Sequence, residues 1–124
     1  MAPAQQTPFE YSFDERENVL IMDLTDWSGE TEGMDQSEAD WLSRASESKI
    51  TAAVTEFSPD MNLGRETQDH LAKEWSENGH EADIEKLAFV SEGLKARAVS
   101  ANLEVPQEIK TFGSVEEAVE WARE

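Results

Sequence analysis

Phe9-Glu10-Tyr11-Ser12-Phe13-Asp14-Glu15-Arg16-Glu17-Asn18-Val19-Leu20-Ile21-Met22-Asp23-Leu24 is the stretch that decides the fold. Phe9, Tyr11 and Phe13 alternate with Glu10, Ser12 and Asp14, the period of a strand with one buried face. Asp14 to Asn18 is polar and short, as hairpin connections are. Val19 to Met22, continued by Leu24, is nearly unbroken apolar, which suits an interior strand covered on both sides. The chain thus opens on an antiparallel pair whose first strand is the more exposed.

Downstream, helical and strand patterns alternate. Asp35 offers an N-cap with Glu38 three residues on, a variant capping box, and Ala39, Trp41, Leu42 and Ala45 supply a three-turn apolar stripe. Ile50 to Val54 reads as a third strand whose alanines allow close packing under helices, and Phe57-Ser58-Pro59-Asp60 breaks it. A helix is predicted from Leu63 to Asn78, with Leu63, Thr67, Leu71 and Trp75 recurring every four residues and Asn78-Gly79 as its stop. Leu87 to Val90 is a fourth, interior strand. Ser91 caps a helix running to about Leu103, which Pro106 keeps from continuing. Ile109 to Phe112 makes a fifth strand. Ser114 caps a final helix, with Glu117 at the capping-box position, Val115, Ala118, Val119 and Ala122 inward, and Trp121 at the edge. The order β-β-α-β-α-β-α-β-α predicts an α/β fold: one five-stranded mixed sheet with helices packed on it through right-handed crossovers. Residues 1–8, polar and Pro-containing, read as a flexible tail, and residues 9–124 as a single domain.

Composition narrows the function. Of 124 residues, 28 are Asp or Glu and 10 are Lys or Arg, a net charge of −18, and cysteine is absent. That balance excludes a general nucleic-acid binder and a protein docking on anionic lipid. Disulfides, thiolate nucleophiles and sulfur-ligated metals are excluded as well. Residues 1–8 lack the basic start and apolar core of a signal peptide, and no stretch approaches a membrane span, so a cytoplasmic protein is expected. Carboxylates about 6 Å apart in water repel by roughly 0.7 kcal/mol per pair. At ~1 M salt the Debye length shrinks to about 3 Å and that repulsion largely disappears. The acids are dispersed rather than gathered into a tail, which points to a surface suited to molar intracellular salt.

Candidate sites are few. His70 and His80 are ten residues apart, about 1000° around a helix, so they share no face. With no third ligand in evidence, neither a metal centre nor a cofactor is expected, and His70 reads as a solvated residue among acids. Asp23 and Asp26 close the second strand, where open α/β sheets bind ligands, although Asp26 beginning a turn and Asp23 facing solvent or a helix end is the simpler explanation. Lys86, Lys95 and Arg97 gather near the helix start at Ser91, where free N–H groups favour an anion; Glu92 in their midst opposes it. Leu94, Ala98 and Ala101 lie beside a second row of Ala96, Val99 and Leu103, so that helix has a face for a partner or a second copy, unless its alanines pack within the monomer. Trp27 falls in a predicted loop, where an exposed indole would anchor recognition. Phe57, Met61 and Leu63 offer a candidate apolar patch. No glycine-rich nucleotide fingerprint and no Gly-x-Ser-x-Gly elbow occurs.

Three stretches carry a family likeness: Tyr11-Ser12-Phe13-Asp14 with Val19-Leu20-Ile21-Met22, then Glu85-Lys86-Leu87-Ala88-Phe89-Val90, then Lys110-Thr111-Phe112-Gly113-Ser114 with Glu117, Ala118 and Trp121. In this order the chain resembles the STAS-like domains typified by anti-anti-sigma factors, in particular the SpoIIAA-like group, over residues 9–123. The resemblance implies a non-enzymatic module that binds a protein partner or a small apolar ligand. In the family a Ser or Thr at the start of the helix after the third strand is phosphorylated, and Ser58 falls near that place. The Asp-Ser-x-Gly pattern is absent here, and Glu56 and Asp60 would repel a phosphate, which favours a turn serine before Pro59. The alternative function is a small enzyme using Asp23, Asp26 and Asp60 as acid or base.

The charge pattern makes a prediction. Melting temperature should rise steadily between low and molar KCl, followed by circular dichroism; equal stability in both would refute adaptation to salt.

Overall fold

The computed structural model describes residues 9–27, 34–58, 64–82, 84–91, 101 and 103–124. Five strands form one sheet in the order β1 (Ser12–Arg16), β2 (Val19–Leu24), β3 (Ala52–Phe57), β4 (Lys86–Val90) and β5 (Glu108–Phe112). β1 runs antiparallel to β2, and every later pair is parallel. The mixed α/β sheet read from the sequence is therefore present. The hairpin is tighter than expected. Asp14, Glu15 and Arg16 continue β1, opposite Ile21, Leu20 and Val19, and the turn is only Glu17-Asn18. An edge strand keeps one face in solvent, so polar residues extend it without cost. Glu17 takes a φ of 58°, the left-handed conformation that two-residue hairpin turns demand.

Strand order that advances one way across the sheet has a consequence for its two faces. Right-handed crossovers moving in a single direction leave their helices on one face, so the other must be covered separately. The first face carries Leu20, Met22, Leu24, Ala53, Phe57, Leu87 and Phe89, packed with Met34, Ala45 and Leu71 from the crossover helices. The second carries Val19, Ile21, Ala52, Val54, Ala88 and Val90, covered by Ala118, Val119 and Ala122 of the last helix. Alternation along each strand sorts the residues between the two cores.

Helix α1 spans Met34–Ala45, and its buried side is Met34, Ser37, Glu38 and Ala45, with Trp41 half-buried. The predicted stripe holds at Trp41, Leu42 and Ala45, which pack on the core, and fails at Ala39, which is exposed; Glu38 faces inward instead of closing a capping box. Helix α2 (Arg65–His70) passes through a π turn (Leu71–Trp75) directly into α3 (Ser76–Glu81). The helix thus overruns the Asn78-Gly79 stop. Gly79 is there for space, because a Cβ at that position would lie 2.5 Å from Val105 Cγ1. Gln107 Nε2 donates to the carbonyls of Gly79 (2.6 Å) and Ala82 (3.2 Å), closing the helix end. The helix predicted between β4 and β5 falls mainly on residues outside the described ones. The last helix, α4 (Val115–Arg123), starts as expected: Ser114 Oγ accepts the Glu117 N–H at 3.3 Å.

Two contacts fasten the edge strand to α1. The Arg44 guanidinium lies 4.6 Å from the Phe13 ring centroid, and Tyr11 donates to Asp40 Oδ2 at 2.5 Å. Burial, and then Asp40, pushes the Tyr11 phenol up to about 12. A raised folded-state pKa means that the contact stabilises fully below the ordinary value of 10.0 and is lost as pH climbs through about 12. Because the chain has one tyrosine, an ultraviolet phenolate titration reads this residue alone. We expect a midpoint near 12, moved down toward the ordinary value by Asp40→Asn; an ordinary tyrosine midpoint in the native protein would contradict it.

Candidate functional site

The site grows from the π turn. In an α-helix, side chains five residues apart point about 140° away from each other. A π turn, bonded i→i+5, brings them to the same side. His70 and Trp75 flank this turn, and both reach one oxygen: His70 Nε2 and Trp75 Nε1 each lie 2.8 Å from Glu38 Oε2. Glu38 is 8% exposed and, among the described residues, the one charged residue in the core. Burial raises its pKa, while His70 and Trp75 pull in the opposite direction by holding the charged form. Burial leads, so the carboxyl sits above its ordinary value.

Beside this carboxylate lies a cleft of about 440 Å³, counting the solvent at its mouth. Met22, Thr55, Leu87 and Phe89 of the sheet form its floor, Ser37, Glu38 and Trp41 of α1 one wall, and Trp75 and Asn78 the other, with Leu103 at the edge. The short side chain of Thr55 sits between Met22 and Phe89 in the strand register, which hollows the floor there. The rings behind are fixed: Phe57, Trp75 and Phe89 are stacked within 16° of parallel at centroid separations of 5.9–6.1 Å. The arrangement offers an apolar slot with one oriented acceptor.

The residues expected to recognise a ligand lie elsewhere. Trp27 is 1% exposed and packs against Phe9, Phe57 and Trp75, so it is a core residue and no surface anchor. Phe57 is likewise buried, at the end of β3, and Ser58 beside it is half-buried. Asp60, Met61, Leu63, Leu94, Lys95 and Arg97 lie outside the described residues. Asp23 accepts the Thr25 N–H and hydroxyl, closing a local turn, and Asp26 accepts the Glu10 N–H, which ties the residues before β1 to the end of β2. Glu56, opposite Asp23 in the register, has its pKa raised by burial and then by the Asp23 charge. Lys86 is remote from any anion site at Ser91. It stands at the start of β4, where its ammonium donates to the carbonyls of Trp121 and Glu124, both at 2.9 Å, at the end of α4.

His70 was read as solvated and without ligand partners. The fold instead brings it to Asp35 and Glu38, with one ligand atom from each residue lying within 4.8 Å of the others. Glu38 was missed because a carboxylate three residues after an Asp resembles a cap; its place at i+4 from Met34 and i−3 from Trp41 was the available signal. The four-residue recurrence from Leu63 to Trp75 was the trace of the π turn, since it is longer than the 3.6-residue α period. Comparison with protein-family models, curated proteins and solved structures gives no match for this chain.

A buried carboxylate deprived of a donor bears the full desolvation penalty. Trp75→Phe keeps a ring but removes the indole N–H, and should cost about 1–3 kcal/mol in denaturant titrations at fixed KCl. In a Glu38→Leu background the same change should cost close to nothing, because no acceptor remains. Equal losses in the two backgrounds would disprove the coupling.

Proposed function

We propose that this chain is a small-ligand-binding domain of the STAS-like, SpoIIAA-like type, working in a salt-rich cytoplasm and doing no chemistry of its own. The observation that carries the reading is the cleft itself: apolar floor and walls converging on a single buried carboxylate. Apolar burial supplies affinity there, at about 25 cal/mol per Å², and Glu38 adds direction. The ligand is a largely apolar molecule with one hydrogen-bond donor, such as an amine or hydroxyl. The STAS-like assignment rests on the opening hairpin, the later parallel strands and the capped closing helix. A protein partner is less favoured, because Phe57 is buried and offers no patch. No helix among the described residues is long and apolar enough to cross a membrane.

A second reading, a small enzyme with strand-end carboxylates, has one observation in its favour: the raised pKa of Glu56 beside Asp23. Asp23 and Asp26 already accept structural hydrogen bonds, from Thr25 and from the Glu10 N–H, which favours the binding reading.

N-phenyl-1-naphthylamine, uncharged and carrying one N–H, serves as the test probe. Its fluorescence should rise saturably with one molecule bound per chain, and Leu103→Trp, which narrows the mouth, should weaken binding at least tenfold. A signal that never saturates, or an affinity unchanged by Leu103→Trp, would sink the reading.

A further inference from the structure

We propose that Asp35, Glu38 and His70 form a three-ligand site for a divalent transition-metal ion, with Zn²⁺ the best match, bridging α1 and α2. Asp35 and Glu38 are three residues apart on α1 and therefore neighbours on one helix face. His70, the last residue of α2, approaches the same face and lies 2.8 Å from Glu38. An ion about 2.0–2.2 Å from each ligand atom holds those atoms about 3–4 Å apart. The observed grouping within 4.8 Å needs only small side-chain adjustments to reach that geometry.

The donor set selects the class of ion. One imidazole nitrogen and two carboxylate oxygens suit borderline divalent ions, whereas magnesium and calcium prefer oxygen alone and copper(I) prefers sulfur. Three protein ligands leave an open position, as in reactive rather than purely structural sites. Glu38 also lines the cleft, so the cleft and the cation site share this carboxylate. Trp75 provides the outer support. Its N–H holds Glu38 through Oε2, and Oε1 carries neither of the two hydrogen bonds. Among the described residues no cation pairs with Asp35.

A chain of charge −18 attracts any cation loosely, so the test runs in molar KCl, where diffuse attraction is screened. The full-length protein is stripped with EDTA and titrated with Zn²⁺ by calorimetry, with melting and histidine ring NMR in parallel. One Zn²⁺ should bind per chain and raise the melting temperature. The His70 ring resonances should move while those of His80, which contacts the Glu104 carbonyl, stay in place. Asp35→Asn should weaken binding at least tenfold, His70→Ala should abolish it, and Glu81→Gln on α3 should change nothing. Asp35 is exposed, so its variant keeps the fold and decides the matter even if His70→Ala does not fold. No saturable binding in molar KCl, a wild-type affinity in Asp35→Asn, or equal shifts of both histidines overturns the proposal.

Discussion

The side of the molecule that holds the cleft depends on one requirement: a carboxylate buried under helix α1 must be given donors. An unpaired ionised carboxylate in a protein interior is far too costly to persist. Glu38 avoids that penalty with two hydrogen bonds on one oxygen, both from the helix that crosses it. A regular α-helix could supply only one of those donors, since His70 and Trp75 would then diverge. The π turn between them is the local distortion that lets both converge. π turns are rare and frequent at functional sites, and this one sets the angle of Trp75 and with it one wall of the cleft.

The sheet determines where such a site can exist at all. Strand order that proceeds in one direction places α1 and the α2–π–α3 helix side by side over β2, β3 and β4. The opposite face is closed differently, by alanines and valine of α4 lying flat on Val19, Ile21, Ala52, Val54, Ala88 and Val90. Small side chains there permit close contact and leave little room. On the first face the packed residues include the rings of Trp27, Phe57 and Phe89, and Thr55 leaves the gap between Met22 and Phe89. The asymmetry between an alanine-packed face and an aromatic-packed face is therefore what locates the cleft.

How much of this could be read from the sequence follows from the range of each signal. Strands β2 and β4 are apolar on both faces, so they stand out without tertiary knowledge. Ser114 with Glu117 is a local cap and is found as one. The Glu17-Asn18 turn was placed too early because charged residues on an edge strand look like a loop. Gly79 resembled a helix stop, yet its cause is Val105, twenty-six positions away in sequence (105 − 79). Glu38 posed the same difficulty more sharply. In a chain with 28 acids, one more carboxylate attracts no notice, and only its partners on another helix distinguish it. Local chemistry was legible; roles assigned by contact across the sheet were not.

The acid-rich surface and the single buried carboxylate bear on each other. Exposed charges interact weakly once salt reaches molar levels, and three ion pairs among the described residues are of that kind: Arg16–Asp14, Lys49–Glu47 and Arg123–Glu17 join largely exposed side chains. Such pairs contribute about 0–1 kcal/mol even in ordinary buffer. The His70–Glu38 contact is shielded from solvent, with side chains 21% and 10% exposed, so bulk ions do not screen it to the same degree. In molar salt, a chain this acidic would keep electrostatic discrimination best where solvent is shut out. Among the described residues the buried carboxylate lies between α1 and the π turn, and it is there that the cleft, the aromatic stack and the Asp35–Glu38–His70 cluster meet.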